Sequence, residues 1–267
     1  MHPSVRRIFG QFLLRSGLAR LPVRVRSGIA EGARWSLYPW SAYWRGTHEP
    51  AVQRRLAGLW DWTGRQVWDL GSHYGLFAVG LGRRVGPGGG VAAFEPNPVA
   101  LGRLSLHVRR NRLDWVKIFP FAVSDQISEQ RFLSYGGFES TTSHLLYETE
   151  TWNASIPTIL VKTVRLDDLC ADGSLKHPDF IKLDVEGHGH HALAGARRAL
   201  EASRPVILAG LHTLVEAEGI LSILSPMGYQ YAPIDRGPTS SLGDLVGRDV
   251  LFVPPERAVN PAPNGPG

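Results

Sequence analysis

An open α/β sheet, largely parallel and covered by helices on both faces, is the fold this sequence predicts. Three observations lead there. The short apolar runs Gln66–Leu70, Val91–Phe94, Phe180–Val185 and Pro205–Leu211 have the continuous hydrophobicity of strands buried on both faces. Stretches with apolar residues at helical spacing alternate with them. The first run enters V-W-D-L-G-S-H-Y-G-L-F (67–77), where Gly71 and Gly75 bracket a tight turn between strand and helix. Such a turn lets backbone approach a ligand closely, and the following helix start offers free N–H groups.

At 267 residues the chain can bury one full core. It divides into a basic, aromatic N-terminal extension (1–45), one α/β domain (46–253) and a tail (254–267) whose Pro-rich composition predicts disorder. In the extension, Phe9, Leu13, Leu14, Leu18 and Leu21 sit at helical spacing. Trp35, Tyr38, Trp40, Tyr43 and Trp44 form an aromatic patch, expected first as a cover over the core edge and second as a pocket wall. A helix follows His48-Glu49-Pro50, then the first strand, the glycine turn and a helix over Tyr74–Arg84. Val91–Phe94 is the second strand, Pro98 opens a helix, and Val116–Val123 reads as the third strand. Between Asp125 and Phe180 the rhythm breaks. Arg131–Ser134, Thr158–Val164 and the Gly136-Gly137 turn predict an inserted hairpin or flap, and an insertion of that length points to function. Phe180–Val185, Pro205–Leu211, Gly228–Ile234 and Asp249–Val253 complete the strands, with helices after the first two.

The formal charge is +5, and its surplus lies in the first 45 residues, where eight arginines face Glu31 alone. That charge is not interleaved along the strand ends, so no nucleic-acid partner is expected. Cys170 is the single cysteine, which suits a reducing, cytoplasmic setting. No stretch approaches the roughly 20 apolar residues of a membrane span.

Ligands of open parallel sheets bind beyond the carboxyl ends of the strands. Asp69 to Gly75, Glu95, Asp125, Asp184 to His188, and His212 sit there. Glu95 follows the glycine turn by roughly 20 residues, the spacing at which such folds place an acid on ribose hydroxyls. The set is rich in carboxylates and imidazoles, and the G-x-G-x-x-G dinucleotide fingerprint is absent. An adenosine without phosphates, bearing a cationic sulfonium, fits that charge better than a dinucleotide does. S-adenosylmethionine is such a ligand.

V-W-D-L-G-S-H-Y-G-L-F, F-E-P-N-P, A-V-S-D and above all F-I-K-L-D-V-E-G resemble the FkbM-type family of S-adenosylmethionine-dependent O-methyltransferases. The likeness runs from about Gly46 to about His212, and Gly46-Thr47-His48-Glu49 resembles the family's segment before the first strand. It implies a Rossmann-like, seven-stranded class I methyltransferase sheet with its last strand antiparallel. It implies methyl transfer to a hydroxyl of a small molecule, a sugar or polyketide-type natural product. An alternative is a homologue that binds cofactor without catalysis. Carried over by position, Asp69, Gly71 and Gly75 would line the methionine end, Glu95 would hold the ribose hydroxyls, Asp125 would lie near the adenine amine and Asp184 would face the reacting centre. Glu49, Ser72, His73, Pro96 and Val123 are further cofactor-binding residues that the resemblance implies. His188 is the first candidate for a general base and Asp184 the second. Asp184, Glu186, His188 and His191 also have the donor types of a metal site, but carboxylates at a helix start are common without one, and no metal is expected. The sequence departs from the family at three places. His73 replaces the usual Asn, Gly189 stands where a second Glu is usual, and Val206–Leu211 lacks an acid near its end.

Overall fold

Strand pairing follows directly from the apolar runs. The computed structural model describes residues 21–37, 41–133, 144–145, 157–235, 237 and 241–261. A hairpin of β1 (Pro22–Arg24) and β2 (Arg34–Ser36) comes first. The central sheet contains β3 (Gln66–Leu70), β4 (Gly90–Phe94), β5 (Val116–Phe119), β10 (Phe180–Leu183), β11 (Val206–Leu211), β12 (Gln230–Pro233) and β13 (Arg248–Val253). Their spatial order is β12-β13-β11-β10-β3-β4-β5. All neighbours are parallel except that β13 runs antiparallel to both β11 and β12. This is the seven-stranded arrangement with one reversed strand that the family resemblance implies.

Successive residues of each strand feed opposite layers, as the pleat requires. Val67 and Phe180 enter one core with Leu76, Val79, Leu81 and Leu104, while their neighbours Trp68 and Ile181 enter the other with Leu193, Leu200 and Leu224. Helices cover both sides: Leu76–Val85 and Pro98–Arg110 on one, Gly189–Ala194, Arg197–Ser203 and Leu214–Leu224 on the other.

The third strand differs from its expected length. Pro120, which cannot donate a ladder hydrogen bond, separates β5 from β6 (Ala122–Val123). β6 leaves the central sheet and pairs parallel with β9 (Thr158–Val164). β9 also pairs antiparallel with β7 (Glu129–Leu133), which pairs with β8 (His144–Leu145). The expected flap is therefore a four-stranded sheet, β6-β9-β7-β8, that shares a chain segment with the main domain. The helix after the glycine turn starts at Leu76, with Gly75 as its cap at φ 86°.

The described part of the N-terminal extension packs into the main core. Val25, Ile29, Ala30 and Trp35 are buried there, and the Trp35 ring stacks on His107 at 3.6 Å. Gln53 accepts from the Ile29 N–H at 2.8 Å, tying the hairpin loop to the helix Pro50–Gly58. The start of the tail is also anchored. Arg257 binds the Ser203 carbonyl and the Asp179 carboxylate, and the Asn260 N–H bonds the Leu59 carbonyl at 2.9 Å. Composition could not anticipate these bonds, because they depend on where the chain ends up in space. The helix expected within Phe9–Leu21, Tyr38, Trp40 and the Gly136-Gly137 turn lie outside the described residues, apart from Leu21. No helix among the described residues is long and apolar enough to cross a membrane.

Candidate active site

The carboxyl edge of the sheet opens into a cleft of about 280 Å³. Of the residues expected there, Glu49, Gly71, Ser72, His73, Glu95, Pro96, Val123, Asp184 and His188 line it. Asp69, Gly75 and Asp125 do not line it. Asp69 is fully buried beneath the glycine turn, and neither of its carboxylate oxygens has a hydrogen-bond partner among the described residues. Burial pushes its carboxyl up to about 6. Gly71 is forced by its surroundings: at φ 85°, a Cβ there would lie 1.8 Å from the Asp184 carbonyl oxygen. Gly71→Ala is expected to open the β3–β10 edge and lower the melting temperature by roughly 5–10 °C, as a misfit costing a few kcal/mol would. Differential scanning calorimetry checks this, and an unchanged melting temperature would contradict the crowding described.

Glu95 closes β4. Its two carboxylate oxygens accept the His73 and Asn97 N–H groups, each at 2.8 Å. Burial pushes its carboxyl up to about 7 against those two bonds. Each oxygen keeps one further acceptor position, and two vicinal hydroxyls can use them together. His73 stands in the left-handed region at φ 48°, as do Glu49 at 45° and Glu186 at 54°. Three strained, non-glycine residues on one cleft fit a site whose backbone is held by its surroundings. The His73 departure from the family has a local cause. Its Nδ1 meets the Tyr43 hydroxyl at 2.7 Å, and its ring stacks on Tyr74 at 3.8 Å. Burial lowers its pKa to about 4, so the ring is neutral. Tyr43 is thus both core and cleft wall, the two readings of the aromatic patch combined in one residue. Phe132 and Leu145, paired across β7 and β8, make an apolar wall from the inserted sheet.

The residues expected around the reacting centre separate into two groups. His188 meets the Ser124 hydroxyl at 3.0 Å, and that hydroxyl reaches Asp125 Oδ1 at 3.2 Å. Burial lowers the His188 pKa to about 4. His191 pairs with Asp125 at 3.2 Å. Asp184 belongs to another group: Lys182 Nζ lies 2.8 Å from its Oδ2, and His212 Nε2 lies 3.1 Å from its Oδ1. His212 Nδ1 faces Glu186 at 3.4 Å. Partial burial opposes its charge, but Asp184 and Glu186 push the imidazole up to about 9. The quartet Asp184, Glu186, His188 and His191 therefore does not converge. Among the described residues one group has ligand atoms close enough together for a metal ion, Asp184, Glu186 and His212, whose ligand atoms lie within 4.8 Å of one another. In it both Asp184 oxygens and both His212 nitrogens already have partners.

Sequence reasoning gave no role to Lys182, Asp249 or Glu216. Lys182 lies inside β10 and is 4% exposed; its ammonium reaches the cleft and sits 4.6 Å over the Phe77 ring. Asp249 lies near the start of β13. A reversed strand brings its amino end to the edge where its neighbours bring their carboxyl ends. Glu216, fully buried, accepts the Gly189 N–H at 2.8 Å and the His212 N–H at 2.7 Å. A Cβ at Gly189 would come within 2.6 Å of that carboxylate. The acid missing at 189 is thus replaced in space by one from the helix Leu214–Leu224.

A reversed seventh strand, a glycine turn after the first strand and an acid closing the second define the Rossmann-like, class I methyltransferase architecture. Residues 69–231 match the Methyltransferase FkbM domain, and the chain belongs to that family. It is 27% identical over 208 residues to the 2-O-methyltransferase NoeI of Sinorhizobium fredii, covering 73% of this chain and 79% of that protein. It is 26% identical over 166 residues to the hexuronic acid methyltransferase AglP of Haloferax volcanii, covering 60% of this chain and 61% of AglP, less than two thirds of its length. The crystal structure of an FkbM methyltransferase from Methylobacillus flagellatus superposes with a TM-score of 0.47 at 21% identity, over 70% of this chain and 43% of that one.

Proposed function

We propose that this chain is an S-adenosylmethionine-dependent O-methyltransferase that methylates a hydroxyl of a small molecule, a sugar first and a polyketide-type product second. The observation that carries this reading is the charge of the cleft. Glu49, Glu95, Asp184 and Glu186 line it, and its lysine and arginine, Lys182 and Arg248, already face Asp184 and Asp235. A phosphate-free adenosine with a sulfonium suits that balance, and a pyrophosphate does not. Unpartnered buried carboxylate oxygens on Asp69 and on Glu49 (Oε2) also fit a ligand amine at the glycine turn. AglP, named for a hexuronic acid acceptor, supports the sugar reading, and NoeI, named a 2-O-methyltransferase, supports transfer to oxygen.

When bound, the cofactor supplies an electrophilic methyl group. Glu49, Asp69, Gly71, Ser72, His73 and Gly75 would hold its methionine end, Glu95 and Pro96 its ribose. Val123 and Asp125 would hold the adenine, joined by His188 through Ser124, so that His188 serves binding rather than proton removal. Asp184 would face the methyl group, its ionised form maintained by Lys182 and His212. A divalent ion at Asp184, Glu186 and His212 would have to displace the Lys182 ammonium or the His212 proton, so transfer is proposed to be metal-independent. A single free thiol, Cys170, suits action in the cytoplasm.

Calorimetry with S-adenosylmethionine, S-adenosylhomocysteine and NAD, followed by turnover on methyl glycosides and hydroxylated polyketides, tests the proposal. Binding of the first two without NAD, with turnover unchanged after exhaustive chelation, is expected. NAD binding alone would sink the reading. Cofactor binding with no turnover on any acceptor would favour the non-catalytic alternative.

A further inference from the structure

We infer that Asp249 is the general base for the acceptor hydroxyl, acting in a seat floored by Gly210 and flanked by Asp184 and His212. This rests on the methyltransferase reading above. β13 is reversed, so Asp249 comes to the ligand edge directly opposite Gly210 in register. A Cβ built on Gly210 would lie 3.3 Å from Asp184 Oδ1, 3.3 Å from His212 Nε2 and 3.6 Å from Asp249 Oδ1. Three polar groups thus converge on a space that exists because residue 210 has no side chain.

The other two groups are committed to partners. Asp184 accepts from Lys182 and from His212, and these cations hold its carboxyl well below the usual range despite burial. His212 stands between two carboxylates as an imidazolium, which has no lone pair to take a proton. The Asp249 side chain has no hydrogen-bond or ion-pair partner among the described residues, and it lines the cleft. The charged groups around it are Lys182 from β10, Glu49 before the helix Pro50–Gly58, Asp184 after β10 and Asp235 after β12, with His212 after β11 across the Gly210 seat and Arg248 beside it in the chain. Burial pushes its carboxyl up to about 6; Lys182 opposes this, and the three carboxylates reinforce it. A carboxylate of that basicity is ionised at neutral pH yet accepts a proton more readily than Asp184 does.

In the step, the acceptor hydroxyl passes its proton to Asp249 Oδ1 as its oxygen bonds the methyl carbon. The electron pair of the breaking carbon–sulfur bond returns to sulfur, which leaves as the neutral thioether of S-adenosylhomocysteine. Asp249 then releases the proton to water. Atoms and charge balance without a further reactant.

The test uses the full chain with Asp249→Asn and Asp249→Glu. In ¹³C-aspartate-labelled protein without acceptor, the carboxyl resonance lost in Asp249→Asn is expected to titrate near pH 6. A midpoint below pH 4 would overturn the proposal whether or not an acceptor is known. S-adenosylmethionine affinity should stay within about twofold in both variants; its loss in Asp249→Asn would make Asp249 a cofactor ligand and overturn the proposal too. On methyl glycosides, with S-adenosylmethionine saturating at every pH so that Glu95 titration does not enter, turnover should fall roughly 10²–10⁴-fold in Asp249→Asn, with the acid limb of the pH profile gone and partial recovery in Asp249→Glu. Wild-type turnover and an intact acid limb in Asp249→Asn would remove Asp249 from the mechanism. Failure of the wild-type protein to bind S-adenosylmethionine at all would instead strike the parent reading, since Asp249 is not required for that binding.

Discussion

Replacing Glu95 by Ala is expected to weaken S-adenosylmethionine binding by roughly 10²–10⁴-fold. The estimate follows from the loss of two charge-assisted hydrogen bonds worth about 1.5–3 kcal/mol each. Glu95 has both oxygens fixed by backbone N–H groups, so it meets a ligand without reorganising. The isosteric Glu95→Gln separates binding from stability. In the folded chain the Glu95 carboxyl is raised from 4.5 to about 7. A raised acid stabilises the fold fully below its unfolded value, and that contribution is lost as pH rises through the folded value. Wild type without ligand should therefore lose on the order of 3 kcal/mol between about pH 4.5 and 8 from this group, and Glu95→Gln should not. Ligand affinity should run the other way in wild type, falling below about pH 7 as the carboxylate protonates. Melting curves and calorimetry across that pH range check both trends. Parallel pH slopes for the two proteins would show that Glu95 is not the buried, ligand-gripping acid described here.

The parts of this molecule that were legible in the chain are those where local chemistry and position along a strand coincide. Gly71 and Glu95 each sit at the end of an apolar run, and a parallel sheet necessarily carries such ends to one edge. Asp249 was invisible by the same rule. In a reversed strand the edge residues are the first ones; Arg248–Val253 carries no mark of direction in its own residues, and only the family resemblance implied the reversal. Lys182 was hidden for a different reason: it lies one residue inside the strand end, and only the length of its side chain brings its ammonium to the cleft. His188 and Asp184 were both candidates for the base at one reacting centre. Between them the chain turns through Glu186 and Gly187, both with positive φ, and sends His188 to Ser124 and Asp184 to His212. The acid at Gly189 is a replacement across space, from Glu216, which no reading of the 184–189 segment alone could supply.

Lys182→Met should produce the largest loss of stability of any single change in the cleft. The ammonium is buried among Asp184, Glu49 and Asp69, and it contacts the Phe77 ring. Burial disfavours its charge, but these carboxylates outweigh burial and raise its pKa above the usual lysine range. Removing one member of a buried pair leaves the other uncompensated, at about 3–5 kcal/mol, or roughly 6–20 °C for a chain of this size. The sign of the pH dependence tests the cause. In wild type Asp184 is held below its ordinary value, so its contribution is present at neutral pH and is lost only as pH falls through that lowered value. Without the ammonium, burial pushes the same carboxyl up, with His212 alone opposing. The variant should then gain stability on acidification from pH 7 towards 5, where wild type gains nothing from this group. Adding Asp184→Asn to Lys182→Met removes the orphaned charge and should recover part of the loss and flatten the slope. A single variant within 2 °C of wild type, or a double variant less stable than the single at pH 7, would mean that the carboxylates of this cleft do not depend on Lys182.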